Sequence, residues 1–189
     1  MPRIYNAAGD EITKGYVGPL SLGSDLTLIC EVNDEQADTL VYWRRNGVVA
    51  ERAARARAGV LRAAVRVASV SRAELDAHYE CLAQNADVTA PLTAGVLVRM
   101  YLAPLSVEIR LNNNFDFEAG QPRVVDCVVV GCMPPPSITW HLGNTMLRPN
   151  VHKELHDGNY TVSSLTLAPS LRDSNHELIC RAHNSHLTT

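Results

Sequence analysis

The chain has 189 residues, enough for one large or two small domains, and its 46% hydrophobic content is that of a globular protein and not of a disordered one. A formal net charge of −3 gives no electrostatic basis for holding nucleic acid. No apolar run approaches the roughly 20 residues that cross a bilayer, and Arg99 interrupts the best candidate, Ala94 to Leu102.

The opening, MPRIYNAAGDEI, lacks a basic stretch followed by an apolar one, so it does not read as a signal peptide. DLTLICEV follows, with Leu26, Leu28 and Cys30 on one face of a strand. VYWRRNG then brings Trp43. The segment from Glu51 to Ala77 is rich in Ala, Arg and Leu and scores as helix on propensity. Gly59 interrupts it, however, and VLRAAVRV alternates Leu61, Ala63, Val65 and Val67, so a strand is expected there. A short helical turn near Ser71 to Asp76 leads into the next strand, where Tyr79 stands two residues before Cys81. The arginines at 52, 55, 57, 62, 66 and 72 are expected on a solvated sheet face; the alternative is a surface for an acidic partner or a glycosaminoglycan. Thr93 to Tyr101 reads as the last strand of a first domain and Ser106 to Arg110 as the first strand of a second. The expected division is therefore 1–102 and 103–189. The joint Leu102-Ala103-Pro104-Leu105 has no Gly/Ser tract, which implies a semi-rigid tandem.

The second half repeats the first. Cys30, Trp43 and Cys81 recur as Cys127, Trp140 and Cys180 at nearly the same intervals, the mark of an internal duplication. Val125, Cys127 and Val129 share a face in RVVDCVVV, and Leu165 and Leu167 share one in YTVSSLTL. A repeated Cys…Trp…Cys framework on alternating strands predicts an all-β chain of two tandem immunoglobulin-like β-sandwiches. In each, strands B and F carry the bridging cysteines, Cys30 with Cys81 and Cys127 with Cys180, while Trp43 and Trp140 pack on the bridges. Tyr79 takes the tyrosine-corner position; its counterpart in the second unit is Leu178, so no corner is expected there. RAHNSHLTT completes strand F and enters a turn, so the second sandwich is expected to be incomplete, truncated before its G strand. The competing reading is a pair of intracellular sandwiches whose cysteines are merely buried apolar residues. Bridges closing such loops stabilise by about 4 kcal/mol in the chain-entropy model and persist in oxidising compartments. Secretion is thus the expectation, with Met1 not the natural start.

The wording resembles a particular group. PRIYNAAGDEI, VGPLSLGSDLTLICEV, VYWRRNG and YECLAQNADVTAPLTAGVLVRMYLAPLSVEI in the first unit are similar to the Sidestep family of arthropod neuronal surface receptors. So are AGQPRVVDCVVVGCMPPPSITWHLGNTML, DGNYTVSSLTLAP and LICRAHNSHL in the second. The pattern from Asn85 to Leu92, followed by LAPLSVEI, is the most specific element. The resemblance implies an extracellular portion of a cell-membrane recognition and adhesion receptor acting in axon guidance, with Beaten path-like immunoglobulin proteins as partners. It also implies that these are the second and third domains, with the distal recognition domain upstream, so no binding residue carries over. Cys132 and the NDEQADT turn depart from the family pattern.

Candidate chemistry is sparse. Two bridges use four cysteines and leave Cys132 as a spare thiol in a proline-held corner, VGCMPPPSITW, where partial exposure is expected; the functional alternative is an intermolecular bridge or a reactive thiol. The histidines at 141, 152, 156, 176, 183 and 186 include His183-x-x-His186 and His152-x-x-x-His156, but on strands and loops those spacings do not converge on a metal. No phosphate cradle, nucleophile elbow or ligand set is present, so the expectation is a non-enzyme without cofactor or small-molecule substrate. Asn159-Tyr160-Thr161 is an N-glycosylation sequon, meaningful only on a secretory route. The alternatives to a receptor are a secreted immune or matrix protein and an intracellular structural array.

Overall fold

Alternation of apolar and polar residues becomes alternation of core and surface along paired strands. The computed structural model describes residues 1–189 apart from 35–38, 53–58, 86–89, 112–116, 148–152, 158 and 188–189, and gives backbone alone for 34, 51, 52 and 153–157. The chain is all-β and divides into two units, Met1–Met100 and Tyr101–Thr189. Leu102 exchanges hydrogen bonds with Met133 (N to O 2.8 Å and 3.1 Å), which ties it to the second unit, whereas the sequence reading assigned it to the first.

In the first unit, β1 (Arg3–Tyr5), β3 (Leu26–Asp34) and β6 (Gly59–Val67) form one sheet in the order β1-β3-β6. The second sheet orders β2 (Tyr16–Ser21), β8 (Leu92–Tyr101), β7 (His78–Gln84), β4 (Leu40–Arg45) and β5 (Val48–Arg52) as β2-β8-β7-β4-β5. Leu28, Cys30, Leu61, Ala63 and Val65 are buried from one sheet, and Val41, Trp43, Tyr79, Cys81, Val96 and Val98 from the other. The Ala/Arg-rich segment is a strand from Gly59 onward, as Leu61–Val65 alternation required; positions 53–58 lie outside the described residues. Ser71 caps a 3-10 turn at Arg72–Glu74 by accepting the Ala73 amide at 3.3 Å.

The second unit sets β13 (Lys153–Asp157), β14 (Tyr160–Leu167), β10 (Arg123–Val130) and β9 (Ser106–Leu111) in one sheet, order β13-β14-β10-β9. The other orders β12 (Thr145–Leu147), β11 (Ser137–Leu142) and β15 (Leu178–His183) as β12-β11-β15. The short β5, β12 and β13 and a second 3-10 turn at Leu171–Asp173 carry too few alternating residues to be read from the sequence.

The two cores differ in closure. In the first, β8 flanks β7 and buries Val96, Val98 and Met100. In the second, β15 is an edge, with β11 as its ladder partner among the described residues. Val107, Ile109 and Leu111 pair with the inward residues Val129, Cys127 and Val125, yet remain 39%, 40% and 47% exposed. Cys180 is correspondingly only half-buried.

Candidate functional site

Both disulfides join opposite sheets. Cys30 on β3 bonds Cys81 on β7, and Cys127 on β10 bonds Cys180 on β15. Each tryptophan sits directly across a ladder from the second cysteine, Trp43 opposite Cys81 and Trp140 opposite Cys180. Their indole N–H groups meet equivalent positions on the strand facing the first cysteine. Trp43 Nε1 donates to the Ala63 carbonyl at 3.1 Å, and Trp140 Nε1 donates to Ser163 Oγ at 3.1 Å. A buried indole needs a partner; alanine offers only backbone, serine a hydroxyl.

Tyr79 is fully buried two residues before Cys81, but its hydroxyl does not donate to a backbone carbonyl. It donates to Glu74 Oε2 at 2.7 Å, and the same carboxylate accepts from Arg45 Nε at 3.2 Å and Nη2 at 3.0 Å. Arg45 Nη2 also donates to the Ala73 carbonyl at 2.9 Å. Arg45 and Tyr79 are ladder partners, so the 3-10 turn has only to lower Glu74 between them. Burial, reinforced by the hydrogen bond to Glu74, pushes the Tyr79 phenol up to about 12, and the same carboxylate raises Arg45. A raised folded-state value means that the contribution is complete below the ordinary tyrosine value of about 10 and disappears as pH climbs through 10 toward 12. The first unit is therefore expected to lose about 2 kcal/mol over that interval. Urea midpoints across it check this, in a Cys132→Ser background that prevents thiol–disulfide exchange; Tyr79→Phe removes the dependence, and a dependence that persists in Tyr79→Phe contradicts the assignment.

The second unit carries different residues at these positions. At the positions of Arg45 and Tyr79 it has Leu142 and Leu178, which face each other across β11 and β15. The carboxylate persists one methylene shorter as Asp173, whose Oδ2 accepts the Ser170 amide at 2.7 Å and hydroxyl at 2.8 Å. These bonds hold Asp173 below the usual carboxylate range. Beside it opens a cleft of about 500 Å³ between the β11–β12 turn and the end of β14.

The five-stranded sheet of the first unit presents an outward face. Tyr42 and Arg44 project from β4, His78 and Glu80 from β7, and Gly95 and Leu97 from β8. Arg44 lies over the Tyr42 ring at 5.5 Å, although Glu80 is its ladder partner. Glu80 Oε1 is instead 4.0 Å from His78 Nδ1. A Cβ at Gly95 would come within 2.6 Å of His78 Nε2, so a side chain there displaces the ring. Sequence reasoning missed this face because alternation locates an outward row without ranking its members.

The remaining sites are dispersed. Cys132 is 7% exposed, contrary to the partial exposure expected, because it turns into the second core and donates to the Pro134 carbonyl at 3.3 Å. Arg62 and Arg66 point outward from β6, with Arg62 paired to Glu31 at 2.9 Å. Arg72 opens the first 3-10 turn; Arg55 and Arg57, like the Arg52 side chain, lie outside the description. His183 lies on β15, while His186 stacks on Tyr101 with ring centroids 4.7 Å apart. His152 and the His156 side chain are not described. Among the described residues no group of three or more His, Cys, Asp or Glu is arranged to hold a metal, and no helix is long and apolar enough to cross a membrane. Asn159 is exposed at the turn before β14, with Thr161 buried beneath it.

The CD80-like C2-set immunoglobulin domain family matches residues 107–189. No curated protein matches the chain in sequence. Among solved structures, Rst D1-D2 matches with a TM-score of 0.60 and 18% identity, over 99% of this chain and 94% of that one. Mouse nectin-like molecule 4, solved as its full ectodomain Ig1-Ig3, matches with a TM-score of 0.62 and 19% identity, over 98% of this chain and 59% of its own. Dpr2 Ig1-Ig2 in complex with DIP-Theta Ig1-Ig3 matches with a TM-score of 0.58 and 20% identity, over 97% and 60%. At these identities the likeness is one of fold: tandem immunoglobulin-like sandwiches.

Proposed function

We propose that this chain is the extracellular part of a cell-surface recognition and adhesion receptor that works by protein–protein binding, and that its role is in axon guidance with Beaten path-like immunoglobulin proteins as partners. The observation that carries the reading is the pair of inter-sheet disulfides, one closing each sandwich, since such bridges persist where the compartment is oxidising. The fold shared with the nectin-like ectodomain and with Dpr2, which was solved bound to another immunoglobulin protein, supports the general class. The resemblance in wording to the Sidestep family supports the finer one. The two sandwiches space a recognition surface from the membrane, and a glycan on Asn159 covers the start of β14. No step of chemistry is required of any residue.

The test is expression of the chain behind a supplied signal peptide, followed by a non-reducing peptide mass map. Linked Cys30–Cys81 and Cys127–Cys180 peptides, an unlinked Cys132 and a glycosylated Asn159 are expected. A well-folded protein with all five thiols reduced would remove the basis for the receptor reading and favour an intracellular structural array. A secreted immune or matrix protein is separated from a receptor by whether the full-length protein fractionates with membranes.

A further inference from the structure

The duplication supplies an internal comparison. In the first unit the corner between the end of β4 and the 3-10 turn is filled by the Arg45 guanidinium, held on Glu74 by two hydrogen bonds and on the Ala73 carbonyl by a third. In the second unit the same corner is the cleft of about 500 Å³, with Leu142 where Arg45 would be and Asp173 where Glu74 would be. Leucine is too short to cross the corner, and it leaves the carboxylate without an arginine or lysine within ion-pair reach among the described residues. Leu147, Leu167 and Ala168 provide apolar walls that suit a methylene stem. The His176 ring lies against Gly143, whose φ of +55° and absent Cβ let it approach; a Cβ there would sit 2.9 Å from His176 Cδ2. That leaves a flat wall beside Asp173 and the polar groups of Asn144 and Thr145 at the rim.

We propose that this cleft receives an arginine side chain from a protein partner, which takes the place that Arg45 occupies in the first unit. The Asp173 carboxylate pairs with the incoming guanidinium, and the two bonds it accepts from Ser170 fix its orientation. A planar, forked cation suits the site better than lysine, because a carboxylate can pair with a guanidinium through two parallel N–H groups, as Glu74 does with Arg45 Nε and Nη2. The proposal rests on the protein–protein reading above.

The test uses the whole chain, labelled with ¹⁵N, titrated with acetyl-Gly-Arg-Gly-amide and with its citrulline counterpart, a neutral isostere. Saturable shifts are expected at the amides of Gly143, Asn144 and His176 with the arginine peptide, and at least five-fold weaker binding with citrulline. Asp173→Asn, which keeps an oxygen for Ser170, is expected to weaken arginine binding to the citrulline level. Leu142→Arg fills the corner in cis and is expected to abolish it. Equal responses to both peptides, or binding that survives both substitutions, overturns the proposal. The disulfide map is indifferent to this result, so an empty cleft in a correctly bridged, glycosylated protein removes the arginine site alone, whereas reduced thiols remove the receptor reading.

Discussion

Replacing Cys127 and Cys180 together by alanine is expected to leave the second unit largely unfolded at 37 °C while the first unit stays native. The bridge closes a loop with a sequence separation of 53, which the chain-entropy model converts to about 4 kcal/mol. That is a large fraction of the 5–15 kcal/mol typical of a domain. The second unit has little surplus, since Val107, Ile109 and Leu111 remain half-exposed on its inward side and Cys180 is only partly covered. The matching Cys30→Ala/Cys81→Ala pair removes a similar amount from a core in which Trp43, Tyr79, Val96 and Val98 are all covered, so the first unit survives with a lowered midpoint. Urea unfolding followed by ¹⁵N spectra assigns each transition to its unit. Equal tolerance of the two double substitutions would show that the uncovered β9 row costs nothing.

The second large effect is at Glu74. Glu74→Ala is expected to destabilise the first unit by about 3 kcal/mol, because it strands the buried Tyr79 hydroxyl and removes two charge-assisted bonds from the Arg45 guanidinium, which keeps its bond to the Ala73 carbonyl. Replacing the whole set by what the second unit uses gives a different outcome. Arg45→Leu/Tyr79→Leu/Glu74→Ala leaves no polar group stranded and pairs leucines across the ladder, as Leu142 and Leu178 do. The triple variant is therefore expected to recover most of the loss, within the volume penalty of losing a tyrosine ring. Denaturant midpoints of the single and triple variants decide it. A triple variant weaker than the single one by the summed cost would mean that the cluster stabilises by more than satisfying its own members.

The framework was legible in the residues: Cys30, Trp43 and Cys81, repeated as Cys127, Trp140 and Cys180, specify two sandwiches because only opposed sheets bring such spacings together. Leu61, Ala63 and Val65 outweighed the helical propensity of the alanines and arginines around them, since a period of two buries a row only on a strand. That leucine stands at 178, where the first unit has Tyr79, was equally plain. The candidate sites were less so. Arg45, Glu74 and Tyr79 are distant in sequence, and their union depends on the β4–β7 register and on where the 3-10 turn lowers a carboxylate. Cys132 looked exposed among prolines, but the turn that follows β10 aims it inward.

The sequence by itself thus determined the fold class, the bridges and the buried tryptophans, because these follow from periodicity and from the chemistry of the residue types. Only the tertiary structure decided which carboxylate keeps its arginine and which stands beside an open cleft. Alternation says which side of a strand a residue faces. It does not say what the facing element places opposite, and that is set by register, by turn geometry and by the length of one side chain.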